Sequence, residues 1–371
     1  MELSESSEYF SKGPMKVDDR DVGDWEQPYL IAEIGVNYFD IAEEREISSL
    51  EAAKEMVAQA ARAGVDAVKF QSYSADQLAS KQSPAYWDTS EELRESQYEL
   101  FSQYDDFGAE EFEKIAKWTH KNHDVDFLST PFDFQAVDYL EGLVPAYKVA
   151  SADITNHPLI RYITRKQKPI ILSTGASEIG EIDDAVRIIE EEDSNPELCL
   201  LHCILQYPTD PENANLGMIG HLQQLYPEYT VGYSDHVPPD EGMITLLNSV
   251  VNGATVIEKH FTLDKSLEGN DHYHAMNPRD VRTFRQNAEL LSTTTGSPRK
   301  APIDVEEDSR RYARRSLVAA REINEGEKIT REDILIKRPG TGIPPAMIEV
   351  VTGRIARRQI EADELLTWEM V

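Results

Sequence analysis

The sequence predicts an α/β fold: a (β/α)₈ TIM barrel followed by a small, turn-rich C-terminal domain. Three observations predict it. Eight short, β-rich apolar runs recur between about residues 28 and 292; amphipathic stretches separate them; and a Ser/Thr/Pro/Asp-rich segment ends the alternation. Strands alternating with helices pair in parallel through right-handed crossovers. Eight such units in roughly 265 residues match the usual size of a barrel. An open doubly wound sheet is the runner-up, but no Gly-rich dinucleotide fingerprint follows the first run.

The eight runs begin at Pro28–Ile34, Ala67–Phe70, Val125–Leu128 and Tyr147–Ala150. They continue at Pro169–Ser173, Leu198–His202, Thr230–Tyr233 and Ala254–Glu258. Between them, Ser48–Ala63 has helical apolar spacing and ends at Gly64, a C-terminal signal. Glu178–Glu190, Asp240–Val250 and Pro278–Leu291 read the same way. Residues 1–24 are polar and acidic and read as a disordered leader, 25–292 as the barrel, 293–312 as a linker and 313–371 as the second domain. In that domain Ser316–Ala320 is strand-like, Asn324–Gly326 is a turn, and Thr330 three residues before Asp333 is an N-cap pattern opening a short helix.

Composition bounds the function. The chain has 371 residues, 40% of them hydrophobic, enough for two packed domains. No run approaches the length of a membrane helix, and the N-terminus lacks a basic and then apolar signal segment. A soluble, cytoplasmic protein is expected. With 68 acidic and 37 basic residues the formal net charge is −31. Such a surface repels nucleic acid and anionic membranes, so neither is expected as a partner. Acids spread along the whole chain suit a salt-rich, halophilic cytoplasm that screens self-repulsion, although an ordinary acidic protein is the plainer reading. An anionic substrate would need a local cationic pocket. The only cysteines, Cys199 and Cys203, lie four apart in one strand. That places them ~13 Å from each other, too far for a disulfide.

In a barrel the chemistry projects from the C-terminal ends of the strands. Read in order, those ends carry Glu33 and Asn37; Lys69 and Gln71; Ser129 and Thr130; Lys148, Ser151 and Asp153. Ser173 and Thr174 follow, then His202, then Ser234, Asp235 and His236, and last Glu258, Lys259 and His260. Each has a plain alternative. Glu33 suits a salt-bridged acid, yet an unpaired carboxylate inside an apolar strand is costly. Lys69 and Lys148 suit snorkelling chains, but two lysines among buried strand residues better suit an anion site. His202 suits a satisfied core histidine as well as a ligand contact. His236 and His260 end adjacent strands, and two imidazoles at one rim suit a divalent metal. The hydroxyls of Ser129, Thr130, Ser151, Ser173 and Thr174 suit a phosphate pocket. Together these parts suit bond formation between a phosphorylated enol and an aldehyde.

The chain resembles the sialic acid synthases, which condense phosphoenolpyruvate with an N-acylated hexosamine. The resemblance runs from about residue 28 to 371. It is carried by Ile31–Asn37, Ala63–Gln71, Ser129–Phe132, Lys148–Asp153, Ser173–Gly175, Leu201–Cys203 with Tyr207–Thr209, Gly232–His236, Ile257–Asp264, Asp271–His272 and Lys337–Gly340. It implies that the second domain is an antifreeze-like SAF domain of β-clip type. It implies a catalytic carboxylate at Glu33; Glu258 and Asp235, at the strand ends, are further candidate catalytic carboxylates. It implies a divalent ion, Mn²⁺ or Mg²⁺, on His236 and His260. Lys69, Gln71, Thr130, Lys148, Ser151, Asp153, Ser173, Thr174, His202, Tyr207, Ser234 and Asp271 are the implied substrate contacts. Arg338 is implied to reach a partner subunit's site in a domain-swapped homodimer.

Two departures fall where the sugar should sit. Asn37-Tyr-Phe-Asp40 replaces the family's Asn-His-Asn-Gly and is followed by an insertion, Ile41–Ile47, and Asp153 replaces a sugar-contacting Glu. They point toward a legionaminic- or pseudaminic-type acceptor, a 6-deoxy-2,4-diacetamido-hexose. Two other classes remain: a Schiff-base aldolase using Lys69, Lys148 or Lys259, and a carbohydrate-binding protein built on the SAF-like domain.

Overall fold

The computed structural model describes residues 15–85, 87, 94–269, 271–297 and 299–371. The chain divides after Gly296 into two compact units.

The first unit begins with a small antiparallel hairpin, β1 (Lys16–Val17) and β2 (Arg20–Asp21). Eight strands follow: β3 (Tyr29–Gly35), β4 (Ala67–Ser72), β5 (Asp126–Pro131), β6 (Tyr147–Val149), β7 (Ile170–Ser173), β8 (Leu198–Cys203), β9 (Thr230–Asp235) and β10 (Val256–His260). They form one parallel sheet in the order β5-β4-β3-β10-β9-β8-β7-β6, which curls into a near-closed barrel. Each overlaps its predicted run, with ends within two residues except on β5, which runs three residues past the predicted Leu128. Both faces of these strands are buried, as an all-parallel sheet under helices requires.

Strand periodicity sorts the side chains into two layers. Tyr29, Ile31, Ala67, Leu128, Ala146, Ile171, Cys199, Leu201 and Val256 pack together inside the barrel. Their neighbours Leu30, Ala32, Val68, Phe127, Tyr147, Leu172, Leu200, Tyr233 and Ile257 belong to the outer core beneath the helices. Gly232 sits where a Cβ would come 2.3 Å from the Val256 carbonyl oxygen and 2.5 Å from Leu201 Cδ2, so no larger residue fits there.

The hairpin corrects the expected disordered leader. Met15, Val17 and Val22 join the inner cluster and close the floor of the barrel, while Arg20 Nη2 pairs with Asp124 at 2.7 Å. Residues 1–14 lie outside the described residues. The acidic composition hid three apolar side chains whose burial becomes favourable only once the barrel supplies an open end.

Two further expectations change. The Ile41–Ile47 insertion is not a loop lengthening: a helix spans Tyr38–Arg45, burying Tyr38, Ile41 and Ala42, and Glu46 ends it in the left-handed region at φ 53°. The expected linker is partly helical, because one helix runs from Pro278 to Thr295 and another covers Glu307–Tyr312. The Ser49–Ala63 helix matches its prediction and opens with a reciprocal Ser48–Glu51 cap.

The second unit packs Leu317, Ala319, Ile323, Ile329, Ile334, Ile343, Val351, Ile360 and Leu366 into its own core. Strands β11 (Ser316–Ala319) and β12 (Ile334–Lys337) pair antiparallel within it. Thr330 and Asp333 cap each other's backbone around a single turn of 3-10 helix. Arg338 follows β12 and is exposed.

A charge in the barrel floor should be poorly tolerated. Val17, fully buried, should cost about 2–4 kcal/mol when replaced in Val17→Asp. The fall in the midpoint of the first thermal transition, followed by circular dichroism, checks this; an unchanged midpoint would show that the hairpin does not seal the floor.

Candidate active site at the barrel rim

The alternation that fills the barrel with apolar side chains continues upward and changes chemistry at the rim. Two residues beyond Ile31 comes Glu33; beyond Ala67, Lys69 and then Gln71; beyond Leu128, Thr130. Ala146 leads to Lys148, Ile171 to Ser173, Leu201 to Cys203, and Val256 to Glu258 and His260. These inward residues, with Ser151, Asp153, Tyr207, Ser234 and His236, line one cavity of about 450 Å³.

Its deeper part is a lattice of two carboxylates and two ammonium groups, all four buried. Lys69 Nζ lies 2.6 Å from Glu33 Oε2 and 3.7 Å from Glu258 Oε2, and donates to Thr130 Oγ1 at 3.1 Å. Lys148 Nζ lies 3.8 Å from Glu258 Oε1 and donates to Ser173 Oγ at 2.7 Å. Gln71 donates to Glu33 Oε1 at 2.9 Å, and Ser234 to Glu258 Oε1 at 3.0 Å. Gly175 closes the side wall. Its N–H donates to Ser151 Oγ at 2.9 Å, and a Cβ there would stand 2.8 Å from that oxygen.

The two carboxylates are pushed in opposite directions. Burial raises Glu33 above the ordinary glutamate value despite the adjacent Lys69. Burial also works against charge on Glu258, but Lys148 and Lys69 outweigh it and hold this group ionised. Lys69, between both carboxylates, is held charged against its burial. Burial lowers Lys148. Glu33 is therefore the carboxyl suited to exchange a proton, and Glu258 the fixed counter-charge between the lysines.

Histidines gather on the opposite side. His236 donates from Nδ1 to the Ile204 carbonyl at 2.7 Å, which leaves Nε2 as an acceptor. Its ring centroid lies 5.5 Å from that of His260. The structure adds a member that sequence reasoning missed: His274, whose ring centroid is 4.9 Å from that of His260. Donor atoms of His260, Asp271 and His274 all lie within 4.8 Å of one another. Burial drives His236 down to about 4 and His260 and His274 well below the ordinary histidine value, so all three are neutral, the form that binds a metal. Buried His260 Nδ1 and both His274 ring nitrogens lack a hydrogen-bond partner among the described residues. This donor set fits a divalent ion. The Asp-x-x-His spacing of Asp271 and His274 was the available signal.

Several predicted residues fall elsewhere. His202, Thr174 and Asp235 do not line the cavity, because each faces the outer layer. His202 Nε2 bonds the Ala214 carbonyl at 2.8 Å, and Thr174 donates to the Leu201 carbonyl at 3.0 Å. Ser129 is likewise outward, 2.6 Å from Ser72 Oγ. Asp235 is committed to Lys259 Nζ at 2.5 Å, to Tyr233 Oη at 2.8 Å and to the Val237 N–H at 2.9 Å. It positions the backbone around His236 and does not face a substrate. The same pairing removes Lys259 as a Schiff-base nucleophile. Asp271 lines a neighbouring recess, whereas Arg338 belongs to the second unit.

That recess, toward the mouth, is aromatic. Tyr73, Trp87, Leu100, Phe101, Tyr104 and Tyr207 line it beside Asn37, Asp40, Gln71, His260 and Asp271. The Tyr38–Arg45 helix carries Asp40, which accepts from Tyr104 Oη at 2.9 Å and meets His272 Nε2 at 3.1 Å.

Fold and rim together define a (β/α)₈ enzyme with a buried carboxylate–lysine lattice facing a cluster of neutral histidines. The sequence matches the NeuB family over residues 56–300 and the SAF domain over residues 314–371. An uncharacterized protein of Methanocaldococcus jannaschii is 38% identical over 96% of this chain and 98% of its own. The N,N'-diacetyllegionaminic acid synthase of Legionella pneumophila is 34% identical over 92% and 94%. An N-acetylneuraminic acid synthetase from Leptospira borgpetersenii, solved with citrate, is 27% identical, with a TM-score of 0.68 over 81% of this chain and 96% of that one. The chain belongs to the NeuB family, the sialic, legionaminic and pseudaminic acid synthases, and is an enzyme of the transferase type.

Because Glu33 titrates above its ordinary value, activity that needs its ionised form should fall as pH drops through that raised value. The acid limb of kcat/KM should therefore lie above pH 4.5. Glu33→Gln should remove this limb and lower kcat by about 10²–10⁴-fold. A pH profile that keeps the limb in the variant would assign it to another group.

Proposed function

We propose that the protein joins phosphoenolpyruvate to an N-acylated hexosamine, giving a nine-carbon 2-keto-3-deoxy sugar acid and inorganic phosphate. The carrying observation is the Lys69–Lys148 pair, buried at the rim of a chain whose net charge is −31. A buried cationic pocket offsets the repulsion that a trianion meets from so acidic a surface. Lys148, Ser173, Ser151 and Thr130 are assigned to the phosphate and carboxylate, where preset ammonium groups also stabilise charge that grows during reaction.

His236 and His260 are the residues assigned to hold a divalent ion, Mn²⁺ or Mg²⁺. When bound, that ion polarises the aldehyde oxygen of the open-chain sugar. The enol carbon of phosphoenolpyruvate then forms the new bond to the aldehyde carbon, whose oxygen takes up a proton. Water adds to the cationic carbon that bears the phosphate, and Glu33 accepts its proton. The C–O bond to phosphate breaks with its electron pair going to phosphate, the new hydroxyl gives its proton to the departing phosphate, and the keto group remains. Glu258 stays ionised and holds both lysines in place.

The aromatic recess supports a particular acceptor. Trp87, Leu100, Phe101 and Tyr104 offer an apolar wall, which suits the 6-methyl and acyl methyl groups of a 6-deoxy-2,4-diacetamido-hexose better than a hydroxyl-rich chain. The similarity to the Legionella synthase supports the same reading. No helix among the described residues is long and apolar enough to cross a membrane, in keeping with work on water-soluble metabolites in the cytoplasm.

Phosphate release from phosphoenolpyruvate should require an acylated amino sugar, and the 6-deoxy-2,4-diacetamido sugars should turn over faster than N-acetylmannosamine. Lys148→Ala should raise the KM for phosphoenolpyruvate by about 10–100-fold, the loss expected when a buried charge-assisted contact disappears. EDTA should abolish release, while borohydride with a keto acid should leave the enzyme active. Turnover with no acylated amino sugar would end this reading.

We also propose a homodimer in which Arg338 of each subunit completes its partner's sugar site. Mixing Arg338→Ala with Glu33→Gln subunits should restore activity that neither variant has alone. Failure of the mixture to recover activity, with exchange verified by mass spectrometry, would place Arg338 outside the partner's site.

A further inference from the structure

His274 stands out from the other buried histidines of the barrel. His202 bonds the Ala214 carbonyl at 2.8 Å. His272 uses both nitrogens, one 2.7 Å from Thr262 Oγ1 and the other 3.1 Å from Asp40 Oδ2. His236 uses one and presents the other. His274 is fully buried, and neither of its nitrogens has a hydrogen-bond partner among the described residues. A buried imidazole pays for desolvation without return unless something binds it. Its surroundings show what that is. Its ring centroid lies 4.9 Å from that of His260 and 6.2 Å from that of His236, and its Nε2 lies 4.0 Å from Asp271 Oδ1. The ligand atoms of His260, Asp271 and His274 all lie within 4.8 Å of one another, so small side-chain shifts would bring them around one ion at about 2.0–2.1 Å, with the His236 ring beside them.

We propose that His274 is a third imidazole ligand of the ion held by His236 and His260, with Asp271 beside it, and that this site prefers Co²⁺, Zn²⁺ or another late first-row metal to Mg²⁺. The inference rests on the reading that His236 and His260 hold a divalent ion. Imidazole nitrogen suits the later first-row metals, whereas Mg²⁺ seeks oxygen and water. Three neutral nitrogens and one carboxylate therefore shift selectivity in a way that two nitrogens and solvent would not. His274 reaches the site from the segment after β10, which returns to the rim through the Phe261–Met276 bridge.

The test is metal binding to the metal-stripped full-length protein, read by Co²⁺ absorption in the visible and by calorimetry, without turnover. The wild type should bind Co²⁺ at least about 100-fold more tightly than Mg²⁺. His274→Ala should weaken Co²⁺ binding by about 10-fold or more and narrow that preference. Co²⁺ binding within twofold of the wild type in His274→Ala, alongside lost binding in His236→Ala, would remove His274 from the site and leave the two-histidine reading intact. Unchanged binding in His236→Ala as well would overturn both. Should His274→Ala fail to fold in EDTA, X-ray absorption of the Co²⁺-loaded wild type decides: three coordinated imidazoles support the assignment and two overturn it.

Discussion

Every second side chain of the eight strands must point into the barrel, and that volume has no exit through the wall. The constraint organises everything else. At the floor the inward positions carry Tyr29, Ile31, Leu128, Ile171 and Val256, which pack as an ordinary core. One step up, the same positions carry Glu33, Lys69, Lys148 and Glu258. On β3, β4, β6 and β10 the transition from oil to charge happens within a single inward position, so these groups rest on a dry base and open toward the rim.

Four buried charges are costly to collect. Each loses its water, and pairing in a low dielectric rarely returns the whole cost. Here the four groups alternate in sign, Gln71 and Ser234 each bond one carboxylate oxygen, and Thr130 and Ser173 each accept from one ammonium group. The arrangement is better understood as a preset electrostatic environment than as a source of stability. Glu33 and Glu258 have the same side chain and are driven in opposite directions because only Glu258 lies between two lysines. On the other side of the cavity, burial keeps three imidazoles neutral, so protons do not compete for them at physiological pH.

Much of this was legible in the residues. The apolar runs located all eight strands because two-sided burial leaves continuous Val/Ile/Leu stretches. The rim chemistry was legible wherever a polar residue stood two positions beyond an inward apolar one, as Glu33 does after Ile31. Reading every polar residue at a strand end as functional went too far. His202, Thr174 and Asp235 are one position out of phase, so they turn toward the helices and find backbone or ion-pair partners there. Lys259 follows the same rule. The floor hairpin was hidden because three apolar residues in an acidic leader gain nothing until the barrel exists. The Tyr38–Arg45 helix and His274 lie in connections after strands, where no period marks which side chains turn inward.

The hairpin has a consequence for traffic. With Met15, Val17 and Val22 stopping the lower end, the cavity is a cul-de-sac. Two reactants that occupy it at different depths must arrive and depart in sequence. Under the proposed reading, an anion held against Lys148 and Ser173 would enter before a sugar that settles among Trp87, Phe101 and Tyr104, and inorganic phosphate would leave after the product. The packed barrel interior, sealed beneath by the hairpin, leaves the rim cavity a single way in and out.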